Sequence, residues 1–67
     1  MGYRIKEVRE AKKMSQSELA EKSGVSRGII WALESDSETV TTTKTLAKIA
    51  HALDTTIGEI FFVDDGQ

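Results

Sequence analysis

The chain has 67 residues, 39% of them hydrophobic and 30% charged, which suits one small folded core and leaves no room for a second lobe or a multi-domain enzyme. Cysteine is absent and His51 is the single histidine, so a disulfide framework, a thiol nucleophile and a cysteine or multi-histidine metal site are excluded. The net charge of −2 conceals a split. Residues 1–33 carry seven bases against four acids, and residues 34–67 carry two bases against seven acids, so the first half is suited to face phosphate and the second to face water or protein.

No apolar run approaches the roughly 20 residues needed to cross a bilayer. Met1–Tyr3 begins no signal-peptide pattern, which leads to the expectation of a cytoplasmic chain. The whole of residues 1–67 is expected to form a single domain, with its core at about 4–61 and a C-terminal tail at 62–67.

Proline is absent and β-branched residues cluster only at Thr39–Thr43, so the chain is expected to be a string of short helices separated by caps. A first helix is expected over about Arg4–Lys13. Ile5 and Val8 lie three apart on one side of it, with Arg9, Lys12 and Lys13 toward its C-terminal end, where the helix dipole favours cations.

Ser15-Gln16-Ser17-Glu18 has the spacing of a capping box and starts a second helix near Gln16. That helix ends at about Ser23, where Gly24 supplies the positive φ of a sharp turn. Ser26 is an N-cap residue for a third helix running to about Glu34. At roughly 100° per residue, Ile29, Ile30 and Leu33 fall in one arc and are expected in the core. Arg27, Gly28, Trp31 and Ala32 fall on the opposite side, available to a partner.

Ser35–Thr42 reads as a polar, acidic linker. A fourth helix over about Thr43–Leu53 aligns Leu46, Ile49, Ala50 and Leu53 on one stripe and leaves His51 on the polar side. Thr56-Ile57-Gly58-Glu59 repeats the capping-box spacing for a short fifth helix ending near Phe61, and Phe62-Val63 is expected to continue as an extended tail. Leu19, Val25, Ile30, Leu33, Leu46, Ile49, Leu53, Ile57, Ile60 and Phe61 form the expected core. The apolar end at Phe61, Phe62 and Val63 suits either that core or a symmetric partner.

The stretch Gln16–Ser35, QSELAEKSGVSRGIIWALES, resembles the helix-turn-helix of the lambda-repressor-like, Cro/XRE family of DNA-binding regulators. The matching positions are Leu19, Ala20, Gly24, Val25, Ile30 and Leu33. Thr45–Leu53 and Ile57–Phe61 resemble the family's closing helices, so the resemblance spans about residues 4–61. Such a pair crosses steeply over a short turn, which needs a small residue at the crossing, a left-handed glycine and apolar knobs from both helices.

The resemblance implies an all-α, compact five-helix DNA-binding domain whose second and third helices form the motif, with the third laid in the major groove and the second crossing the phosphate backbone. By carry-over, Gln16 and Ser17 lie at the N-terminus that meets phosphate or a base edge, and Ser26, Arg27, Gly28, Trp31 and Ala32 face bases and nearby backbone. Arg27 has the planar fork that fits guanine O6 and N7. Gly28 and Ala32 allow close approach or touch thymine methyls. Trp31 suits packing on sugar or a thymine methyl, or a protein partner.

Many family members place Asn-Gly followed by Lys or Arg after the third helix. Here the loop is Ser35-Asp36-Ser37-Glu38, whose carboxylates work against phosphate binding.

The expected function is sequence-specific recognition of double-stranded DNA by a homodimeric transcriptional regulator acting as a repressor. The alternative is an antitoxin or accessory module of the same fold whose main partner is a protein. No nucleophile–base pair, metal cluster or phosphate-cradling glycine loop is present, so neither an enzyme nor a cofactor is expected. The i, i+3 acids Glu7, Glu10, Glu18 and Glu21 sit among Lys and Arg as on an ordinary solvated helix.

Overall fold

In the computed structural model the described residues are 2–35 and 41–62, and the expectations for Asp36–Val40 and Val63–Gln67 lie outside them. Among the described residues five helices occur, α1 (Ile5–Ala11), α2 (Gln16–Ser23), α3 (Arg27–Ser35), α4 (Thr43–Ala52) and α5 (Ile57–Ile60). Two short strands, β1 (Gly2–Tyr3) and β2 (Phe61–Phe62), flank them.

The start and stop of α2 follow from local chemistry. Ser15 Oγ accepts from the Glu18 N–H at 3.0 Å, and the Ser15 N–H donates to Glu18 Oε1 at 3.2 Å, so both halves of the capping box form. At the other end Gly24 adopts φ 75° and ψ 12°, and its N–H donates to the Ala20 carbonyl at 2.9 Å. The Val25 N–H is then taken up by the buried Ser23 hydroxyl at 3.1 Å. The sharp turn therefore leaves neither of these backbone donors unpaired.

Ser26 caps α3, its Oγ accepting from the Ile29 N–H at 3.2 Å. Thr42 does the same for α4 through the Thr45 N–H at 3.1 Å.

Ile5, Leu19, Val25, Ile30, Leu33, Leu46, Ile49, Ala50, Leu53 and Ile60 form the buried core, so all five helices contribute to it. Each large side chain removed from water here stabilises the fold by about 1.5–3 kcal/mol before entropy is counted. Helix α2 packs on both α3 and α4, α1 closes against α3, and α5 closes against α4.

Several expectations need correction. Ile29 is 44% exposed, because α3 turns Ile30 and Leu33 inward and Ile29 falls at the rim of that arc. Ile57 and Phe61 pack against the core but are only partly buried. The Thr56–Glu59 pair forms no side-chain cap; α5 is a single turn held by backbone bonds, among them Glu59 N–H to the Thr56 carbonyl at 3.0 Å.

Helix α1 stops at Ala11 rather than Lys13 because Lys13 takes φ 55°, which a helix cannot continue. Helix α4 ends at Ala52, and Asp54 beyond it takes φ 56°.

The segment after α5 is extended, as expected, and it also finds a partner. Phe61 and Phe62 pair antiparallel with Tyr3 and Gly2. The Tyr3 and Phe61 rings meet with centroids 5.5 Å apart, and the Arg4 N–H donates to the Ile60 carbonyl at 2.8 Å. This two-residue ribbon clips the start of α1 to the end of α5 without altering the all-α class.

Candidate nucleic-acid interface

Helix α3 has a buried side and an outer side. Ile30 and Leu33 are 0% and 2% exposed, whereas Trp31 is 61% exposed. Around the outer arc Arg27 and Gly28 are exposed and Ala32 is half-buried. Arg27 is the one cation in α3. Gly28 is open enough that an added Cβ would meet only Ser26 Oγ, at 4.0 Å, so a surface can approach the backbone there.

Ser26 is exposed, but its hydroxyl already accepts the bond that caps α3. Its O–H can still donate to an outside acceptor. Ser17 is exposed at the first turn of α2.

Gln16 is half-buried at the first position of α2, and the structure gives it a partner that sequence reasoning missed. Its Nε2 donates to Glu34 Oε1 at 3.0 Å. Arg9 from α1 donates to the same carboxylate through Nε, 2.8 Å from Oε2, and through Nη2, 3.0 Å from Oε1. Its Nη1 donates to the Met14 carbonyl at 2.8 Å.

The side chains of Arg9 and Glu34 are only 11% and 4% exposed, so this is a nearly buried, bidentate clamp joining α1, the approach to α2 and the C-terminal turn of α3. Hydrogen bonding to Glu34, opposed by desolvation and aided by the charges of Glu34 and Glu10, raises the pKa of the guanidinium above its ordinary value. Arg9 therefore stays a cation but spends its charge inside the protein. One of the two Gln16 amide hydrogens is spent the same way, and the other remains for an outside acceptor.

The sequence carries no local signal for this clamp, because Arg9 and Glu34 are 25 residues apart. Nothing in their spacing distinguishes them from solvated neighbours. Arg27, Gly28 and Trp31 thus share the outer arc of α3, with Ala32 at its half-buried edge. Gln16 and Ser17 stand on the first turn of the helix that crosses it. The acidic Asp36-Ser37-Glu38 stretch lies outside the described residues.

Among the described residues no three His, Asp or Glu side chains gather as a metal site, and no helix is long and apolar enough to cross a membrane. The arrangement offers donors and a cation on a convex helix, suited to binding along a groove rather than to enclosing a small substrate.

Neither a curated protein nor a solved structure matches the chain. The family model described as Helix-turn-helix matches residues 5–60, the whole of the helical unit. With the packed α2–α3 pair, its left-handed Gly24 turn and the exposed outer side of α3 in place, the chain belongs to the Cro/C1-type, XRE-like helix-turn-helix family of DNA-binding regulators.

Proposed function

We propose that this protein is a sequence-specific repressor that binds double-stranded DNA as a homodimer, with α3 in the major groove of each half-site. The observation that carries the reading is the outward arc of α3, on which Arg27, Gly28 and the 61%-exposed Trp31 take no part in the core. Arg27 reads guanine through its paired donors, and such a contact discriminates against the wrong base by about 1–3 kcal/mol. Gly28 and Ala32 admit the backbone close to the bases and meet thymine methyls. Gln16, Ser17 and Ser26 hold phosphates at the two helix N-termini, where the free N–H groups and dipole favour anions.

A nine-residue α3 reaches few base pairs, so one copy discriminates weakly. A two-fold pair reading half-sites about 34 Å apart doubles the contacts and fixes their spacing. Repression needs no further chemistry, because a dimer seated on a promoter excludes other proteins from the same stretch. The intracellular location where such a duplex is met, the cytoplasm, follows from this role.

Selection of binding sites from a random duplex pool tests the proposal. The expected result is an enriched near-palindrome whose half-site spacing reports the dimer; a pool that stays unenriched at low salt overturns it.

The exposed Trp31 supports a second reading, in which the same domain is an antitoxin or accessory module and Trp31 anchors a protein partner. Under that reading Trp31→Ala abolishes the protein complex and leaves duplex binding, if any, unchanged. Under the first, the same substitution weakens the selected duplex.

A further inference from the structure

Helices α2 and α4 pack with an open concavity of about 400 Å³ between them, lined by Lys22, Ser23, Lys44, Ala47, Lys48 and His51. Three ammonium groups and an imidazole thus border one cleft, and among the described residues no carboxylate lines it. None of the three lysines makes an ion pair with a described residue. Beyond His51 a neighbouring hollow contains Asp54, which ends the positive patch at the C-terminal side of α4.

The outer arc of α3 is poor in charge by comparison. Its one cation is Arg27, and the nearby Arg9 is neutralised by Glu34. A groove binder draws most of its affinity from neutralised phosphates, so the charge has to be supplied from elsewhere on the domain.

We propose that the α2–α4 cleft is a second nucleic-acid contact, in which Lys22, Lys44 and Lys48 hold the phosphodiester backbone of the duplex that α3 grips, outside the base-reading patch. The assignment rests on the DNA-binding reading above and adds a site to it. Lys22 lies in the last turn of α2, and only Gly24, Val25 and Ser26 separate that helix from the N-terminus of α3, so the α2 wall of the cleft is joined to α3 by three residues.

The chemistry favours a polyanion over a protein. Lysine ammonium groups are hydrated point charges on flexible stems, suited to phosphate without demanding a fixed shape. Protein hot spots need a buried apolar or aromatic anchor, and Ala47 is the sole hydrophobic residue of the lining among the described residues.

The test is the salt dependence of binding for the full chain and for the triple variant Lys22→Gln, Lys44→Gln, Lys48→Gln. The probes are two fluorescein-labelled duplexes, one carrying the selected site and one of mixed sequence. The expected result is a plot of log affinity against log salt that is shallower by about 2–3 for the variant, with similar loss on both duplexes because phosphate carries no sequence information.

An unchanged slope, or a loss confined to the selected site, overturns this inference while leaving the groove reading intact. Failure of the unmodified chain to bind either duplex overturns both. Should the variant fail to fold, amide shifts of the unmodified chain report directly. Shifts at Lys22, Ala47 and Lys48 on adding the mixed-sequence duplex support the contact, and their absence overturns it. Shifts produced by polyglutamate and not by duplex also overturn it, assigning the cleft to an acidic protein partner.

Discussion

The inner and outer faces of α3 divide the work of a nine-residue helix. Ile30 and Leu33 are sealed in the core and Glu34 is locked to Arg9 and Gln16, while Arg27, Gly28 and Trp31 touch no core residue closely enough to be covered. Under the proposed function, stability and recognition are therefore carried by different residues of the same helix. The faces meet at Gln16, whose amide is tied to the inner carboxylate and which stands half-buried at the first position of α2.

Inner-face changes should unfold the domain before they alter what it binds. Ile30→Ala empties a fully buried site at the centre of α3 and should cost about 3–4 kcal/mol, read as a lowered urea midpoint and Tm. For a core this small that is a large share of the total stability. A loss below about 1 kcal/mol would show that the site collapses freely and that the inner face is not closely packed.

The clamp comes next. Glu34→Ala leaves the Arg9 guanidinium nearly buried without its carboxylate and should cost about 3 kcal/mol. Arg9→Met restores part of that loss in the double variant, because the unpaired charge is then gone. If Glu34→Ala instead melts like the parent, water reaches the guanidinium and the clamp contributes no more than a surface pair.

Across the helix, Arg27→Ala should do the reverse. Tm should stay within the change expected of an exposed residue, about 0.5 kcal/mol, while affinity for the selected duplex falls by about 1–3 kcal/mol and preference relaxes at one base pair. A uniform loss on every sequence would make Arg27 a phosphate contact and remove it from base reading.

The two faces also differ in how far the sequence revealed them. The helix-turn-helix was legible because its requirements are local: Ser15 and Glu18 are three apart, Gly24 marks the turn, and apolar residues recur with the period of a helix. The same local rule failed at Thr56 and Glu59, where a four-residue helix gives the reciprocal bonds too little support. It failed again at Ile29, because the edge of a helical arc is decided by which neighbour packs there and not by the period.

The Arg9–Glu34–Gln16 clamp joins residues up to 25 apart in sequence, and the ribbon joins Gly2 to Phe62. Such long-range polar pairs leave no periodic trace. The α2–α4 lysine cleft was hidden for the same reason, since Lys22 and Lys48 become neighbours only when the two helices pack.

The smallest expected effect tests the joint between the faces. Gly24 holds φ 75°, and a Cβ built there meets no atom within 4 Å, so Gly24→Ala carries a backbone cost with no steric clash beside it. That cost should be about 1 kcal/mol. Asp54 holds φ 56° at the end of α4 without glycine's freedom, so Asp54→Gly should stabilise by about 0.5 kcal/mol once the added freedom of the unfolded chain is deducted. If Gly24→Ala loses duplex affinity in excess of its loss of stability, the turn sets the angle at which the outer face is presented. If the two losses match, the core alone fixes that angle and Gly24 merely permits the chain to turn.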